Sequence, residues 1–279
     1  MARRDLLLAL ASGAAGAALF ALLSRWAKRA RRGHGAAWLK AEAGSGDRPR
    51  VALVAAGSVA AVKVPELATR LADELGAQVA VVLTGGGRFM TSSEIAGRYA
   101  REHFVAFEAA LRAKRDVFLL EDCDEWEGYA DVSVDPVVHI ELRKWADVVL
   151  VAPCSANTLA KVALGLCDNL ATCLLRAWDP DKPMLLAPAM NTVMWEHPST
   201  LQHLRILEDR GCRIIAPTSK RLACGDVGRG ALAPVDEILR TVQACSCPGL
   251  RGSGVGAWQR HGFQEWQPKE YTDTSAARP

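Results

Sequence analysis

The chain has no Cys-x-x-Cys pair and no zinc-finger spacing among its eight cysteines, at positions 123, 154, 167, 173, 212, 224, 245 and 247. That leaves no structural zinc site to expect, and single cysteines in apolar surroundings suit a reducing compartment better than a disulfide framework. The Gly-x-Gly-x-x-Gly fingerprint and the Walker A pattern are also missing, so a mononucleotide is a better expectation than NAD or ATP. Net charge is only +3, with no basic stripe interleaved with aromatics, which argues against a nucleic-acid partner. No internal repeat is present.

Half of the residues are hydrophobic, enough for a substantial core. Residues 1–49 read as an N-terminal extension. Its apolar run, Leu6 to Leu23, comes after Arg3 and Arg4 and precedes Arg25, Lys28, Arg29, Arg31 and Arg32. The run is just long enough to cross a bilayer, and the heavier positive flank would keep the C-terminal domain in the cytoplasm. The same Arg- and Ala-rich segment, with Asp5 its one acid up to Arg32, reads equally as an organelle transit peptide. Residues 245–279 are rich in Gly, Ser and Pro without apolar periodicity and read as a disordered tail.

Between them, residues 50–244 form one expected domain. The runs RVALVAAG, AQVAVVLTGGG, ADVVLVAP, KPMLLAPA and GCRIIAPT read as parallel strands buried on both faces. Helical patterns cover Val64–Leu75, Ile140–Trp145, Ala156–Trp178 and Pro198–Arg210; Pro65 either opens the first of these or kinks it. The alternation predicts an α/β fold: a doubly wound, Rossmann-like parallel sheet in a flavodoxin-like three-layer arrangement, with ligands outside the carboxyl ends of the strands. Gly57-Ser58, Thr84-Gly85-Gly86 and Ser155-Ala156-Asn157-Thr158 all fall at such ends. Backbone N–H groups and hydroxyls at helix N-termini are how a phosphate is cradled.

Three long motifs, DPVVHIELRKWADVVLVAPCSANTLAKVALGLCDNLATCLLRAWD, PAMNTVMWEHP and KRLACGDVGRGAL, resemble the homo-oligomeric flavin-containing cysteine decarboxylases, and among them the phosphopantothenoylcysteine decarboxylases. The resemblance runs from about Val51 to Val242. It implies FMN as cofactor, bound through Gly57, Ser58, Val59, Thr84, Gly85, Phe89, Ser155, Ala156, Asn157, Thr158 and Ala189. It also implies a homotrimer with FMN at the subunit boundary, and 4'-phosphopantothenoylcysteine as substrate in coenzyme A biosynthesis. Asn191, Arg221 and Ala223 would bind that substrate, and no metal would be needed.

The same resemblance makes His139 the catalytic base and Cys224 the proton donor. At a helix N-terminus the positive dipole end would favour a neutral imidazole, although a lone histidine is more often structural. An amide at Asn191 can orient a carboxylate without over-stabilising the anion that is to be lost, although it can equally be a turn-former beside a core of Met190, Met194 and Trp195. Gly225, Gly228 and Gly230 suggest a mobile flap around Cys224, and Lys220 and Arg221 could hold an anionic part of the substrate. The implied chemistry is an internal redox loop: the thiol becomes a thioaldehyde, CO2 leaves, and the enethiolate is reduced again, FMN taking and returning the electrons.

Three departures stand out. Ala56 replaces a hydroxyl residue, and Leu232 a methionine. Roughly twenty extra residues lie within SSEIAGRYAREHFVAFEAALRAKRDVFLL, where Phe104, Phe107, Ala110 and Leu111 fall at helical spacing. The remaining alternative, a non-catalytic relative that regulates a protein phosphatase, goes with a strongly acidic tail; here the tail's few acids are spread among Arg and Lys.

Overall fold

The computed structural model describes residues 48–113, 116–127, 129–133, 135–221 and 227–246. The segments expected to anchor or target the chain and to form its tail, together with Ala223 and Cys224, lie outside them, as does the side chain of Arg221. Among the described residues no helix is long and apolar enough to cross a membrane.

Six parallel strands lie in the order β3-β2-β1-β4-β5-β6: β1 Arg50–Ala55, β2 Gln78–Leu83, β3 Val117–Glu121, β4 Val148–Cys154, β5 Met184–Pro188 and β6 Arg213–Ile214. This is the doubly wound Rossmann order, and its direction reverses between β1 and β4, which opens a crevice at their carboxyl ends. Val51 to Ala55 and Val148 to Ala152 are wholly buried, as continuous apolar strands covered on both faces must be.

One face is covered by helix α1 (Val64–Leu75), by α4 (Arg101–Ala113) through Phe107, and by α10 (Val235–Ser246). The other carries α5 (Val138–Trp145), α6 (Ala156–Leu164), α7 (Leu170–Arg176) and α9 (Pro198–Asp209). Shorter helices α2 (Gly85–Met90), α3 (Ala96–Tyr99) and α8 (Thr192–Trp195) lie near the carboxyl ends of the sheet. A separate antiparallel pair, β7 (Thr218–Arg221) and β8 (Val227–Ala231), includes most of the described part of the KRLACGDVGRGAL motif.

Pro65 opens α1 within its first two positions, where its missing N–H costs nothing. Several sequence readings are corrected. The helical pattern read as continuous from 156 to 178 is two helices. Gly165 ends the first in the left-handed conformation, and Asn169 starts the second in a reciprocal cap with Thr172. The run Val117–Glu121, read as part of the extra segment, is the edge strand β3 paired to β2. The helix α10, absent from the sequence reading, continues past residue 244 and buries Cys245 against the core. Of the cysteines expected to be packing residues, Cys154 is buried but Cys123 and Cys167 are exposed.

Candidate active site

A cleft of about 950 Å³ lies over the carboxyl ends of β2, β1, β4 and β5, within the size range of cofactor and substrate pockets. Each strand hands over to a helical turn whose first residue caps it. Ser58 Oγ accepts from Ala60 N–H at 3.4 Å and opens the 3-10 turn Val59–Lys63; Thr84 Oγ1 accepts from Gly87 N–H at 3.1 Å and opens α2. Ser155 Oγ accepts from Thr158 N–H at 3.2 Å and opens α6. These caps turn hydroxyls and N–H donors toward one space, which suits an anion.

The glycines there set how closely the turns approach. A Cβ on Gly86 would stand 2.8 Å from Gly57 Cα, and one on Gly87 would stand 2.1 Å from the Ala55 carbonyl oxygen. The first two turns can therefore meet only as glycines. Beside Gly85, by contrast, there is open space.

Gly57, Ser58, Val59, Thr84, Gly85, Ser155, Ala156, Asn157, Thr158, Ala189 and Asn191 all line this cleft. Phe89, expected among them, does not line it within one chain; it sits on α2 and is 67% exposed. His139 does not line it either. Residues that the motifs did not single out for the site also contribute, among them Lys63, Tyr99, Lys161, Asn169, Met190 and Met194. Trp195 is core, as read from the sequence, but Met194 is 48% exposed and faces the cleft. The signal for Tyr99 is hidden in the sequence because the extra segment shows only its helical periodicity.

Asn191 is the turn-former that the sequence offers, and it lines the cleft. Its Oδ1 accepts from Val193 N–H at 2.8 Å and caps α8, which fixes the side chain at the cleft wall. The NH2 end of such an amide is a donor. The β7–β8 hairpin is fastened beside it, since Met190 N–H donates to Gly230 O at 2.9 Å. Gly230 has φ +137°, and a Cβ there would meet the Met190 oxygen at 2.4 Å; one on Gly228 would meet Thr192 at 2.7 Å. These two glycines, read from the sequence as part of a mobile flap, are close-packing contacts that hold β8 against residues 190–192.

His139 lies in the first turn of α5 with Nδ1 2.6 Å from Glu125 Oε1. Where the carboxylate is ionised it only accepts, and Nδ1 then carries the shared hydrogen while Nε2 does not. Glu125 is 6% exposed, and its other oxygen, Oε2, is buried with no hydrogen-bond partner among the described residues. A buried, half-satisfied carboxylate is costly for stability alone, and it is placed where it orients an imidazole. No group of three or more metal-ligating side chains is found among the described residues.

A parallel sheet in the 3-2-1-4-5-6 order, with capped glycine turns around a cleft of cofactor size, defines a mononucleotide-binding α/β protein. The chain belongs to the Flavoprotein family, which matches residues 40–246. It is 47% identical over 195 residues to mouse phosphopantothenoylcysteine decarboxylase, covering 70% of this chain and 86% of that one. Among solved structures it is similar to a PPC decarboxylase cysteine-to-serine mutant complexed with pantothenoylaminoethenethiol. That match has 44% identity and a TM-score of 0.60, over 71% of this chain and 97% of that one. It is also similar to the FMN-binding protein AtHal3, with 45% identity, a TM-score of 0.58 and coverage of 71% and 96%.

Proposed function

We propose that this chain is an FMN-dependent carboxy-lyase that converts 4'-phosphopantothenoylcysteine to 4'-phosphopantetheine. The observation that carries the reading is the single cleft in which capped turns at Ser58, Thr84 and Ser155 face Asn191 across the ends of four strands. FMN fits what is there. The turns at Ser58, Thr84 and Ser155 would hold its phosphate, the close approach of Gly57 and Gly86 bringing the first two together. Ala189, Met190 and Leu232 give apolar wall for a planar ring. When bound, FMN would supply the two-electron oxidation of the substrate's thiol-bearing carbon to a thiocarbonyl, which accepts the electrons released as CO2 leaves the adjacent carbon.

The chain's own residues bind and aim. Asn191 directs its amide at the substrate carboxylate without adding a positive charge that would hold the ground state. His139, oriented by Glu125, exchanges a proton through Nε2. Arg221, Ala223 and Cys224 take the roles that the family resemblance implies, with Cys224 returning the last proton. Since His139 and Phe89 do not line the cleft of their own chain, the reading assigns them to the cleft of a neighbouring subunit in a homotrimer. Exposed Val59, Val193 and Met194 beside the cleft are apolar surface for that neighbour to cover.

The test is Asn191→Asp, which places a negative charge against the carboxylate while preserving the helix cap. FMN content should be retained and decarboxylation should fall by roughly 10²–10³-fold. Wild-type turnover by this variant would remove Asn191 from the substrate site.

A further inference from the structure

A second cavity lies away from the cleft, at the other end of the sheet. It has a volume of about 150 Å³ and sits where α6, α7 and α9 end and β5 begins. Val162, Leu175, Trp178, Met184 and Leu207 wall it, and Leu166 stands at its mouth, 53% exposed. The break at Gly165 belongs to it, since the residue that ends α6 brings no side chain to the space. Against those apolar walls a water has few partners, and an apolar void of this size takes up a small apolar body instead.

Three cations and no acid are among its lining residues: Arg176, Lys182 and Arg210. Carboxyl ends of helices attract cations, and for Lys182 that accounts for everything. Its Nζ donates to the carbonyls of Arg143 at 2.9 Å, Lys144 at 3.3 Å and Ala146 at 2.8 Å, which closes the end of α5. The two arginines differ. Arg210 donates from Nη1 to Val162 O at 3.3 Å, which leaves most of its fork of donors unused. Burial pushes the Cys212 thiol up to about 11 and the Arg210 guanidinium pulls it the other way, so that guanidinium lies close to the cavity wall. The guanidinium of Arg176 has no hydrogen bond or ion pair among the described residues. It lies over Gly165, where a Cβ would stand 3.7 Å from the guanidinium carbon. Both arginines therefore meet the last turn of α6, one at Val162 and the other at Gly165.

Two like charges at the rim of an apolar hollow define a ligand with two halves. Guanidinium forks match a carboxylate, which accepts paired N–H bonds. The hollow takes the other half, and its volume suits a body about the size of benzene. We infer that this cavity is a second ligand site, for a small carboxylate that sets an apolar body of about six to eight carbons against Trp178 and Met184 and its charge on Arg176 and Arg210. The inference goes beyond the decarboxylase reading and does not depend on it.

The experiment is calorimetric titration of the purified full-length chain with benzoate. Benzyl alcohol keeps the body without the charge, acetate keeps the charge without the body, and inorganic phosphate tests the anion class. The variants are Arg176→Met, Arg210→Met, the two combined, Leu166→Trp, which fills the mouth, and Asn191→Asp in the cleft. Both arginines are exposed, so removing them leaves the core intact. Benzoate should bind saturably, with one site per chain, and the three comparison molecules roughly 10-fold or more weakly. Each arginine variant should weaken benzoate roughly 10-fold and the double variant more. Leu166→Trp should also weaken it, and Asn191→Asp should leave it unchanged. Benzoate should raise the melting temperature of the wild type and not that of the double variant. Absence of saturable binding, or benzoate binding that survives the double substitution, would overturn the site. Binding lost in Asn191→Asp would give benzoate to the cleft instead, and phosphate binding as tightly as benzoate would overturn the ligand class.

Discussion

Glu125 holds His139 in one tautomer, and that predicts an asymmetry between two variants. In Glu125→Gln the amide can donate to Nδ1, so the hydrogen moves to Nε2 and the imidazole loses its free acceptor. Turnover should drop roughly 10²–10⁴-fold with a changed pH profile, whereas Glu125→Asp should retain more of it. An unchanged pH profile in Glu125→Gln would reduce Glu125 to a packing residue. The buried thiols give a second prediction. Burial pushes Cys154 up to about 12 and Cys212 up to about 11 from 9.0. Below pH 9 both thiols are protonated in either state. From pH 9 upward the unfolded chain ionises while the fold does not, so their contribution to stability is lost as pH rises toward 12. Urea midpoints should fall between about pH 9 and pH 11, and less steeply in Cys154→Ala. Exposed Cys123 and Cys167 should react with a thiol reagent in the native state, and Cys154 only on unfolding.

Among the elements, the turn between β2 and α2 makes the most local prediction. Gly87→Ala must push a Cβ into the Ala55 carbonyl, so β1 and α2 have to separate. It should cost about 1–3 kcal/mol and weaken FMN retention. Gly85→Ala, with open space around it, should not lower the melting temperature. Equal melting temperatures for the two variants would mean that the close approach is not required. The buried strands β1, β2, β4 and β5 are legible in the sequence because their apolar runs are continuous and end in Gly, Pro or Cys. The capped turns are legible because Ser58, Thr84 and Ser155 each come at or just after the end of such a run. Strand β3 is obscured by its position straight after a helix of similar apolar content. The break at Gly165 is masked because Leu159, Ala163, Leu166 and Leu170 keep a helical spacing across it. Tyr99 and Lys63 carry no motif: what sets them apart is the three-dimensional approach of α3 to the turn after β1.

At the scale of the whole molecule, the cleft is assembled from elements on both faces of the sheet, so it depends on the complete domain. The family resemblance by itself implies a site shared between subunits. What the geometry adds is that His139 and Phe89 are not among the residues that line the cleft of their own chain. Mixing inactive Asn191→Asp chains with inactive His139→Ala chains should therefore restore activity in mixed oligomers, since some sites would combine two intact residues. Failure to complement would place both residues in the site of one chain. The most direct measurement is on the purified wild-type chain: its visible spectrum, together with CO2 released from 4'-phosphopantothenoylcysteine. The account predicts bound FMN near one per chain and CO2 matched by 4'-phosphopantetheine. A colourless protein that fails to retain added FMN and releases no CO2 would contradict it.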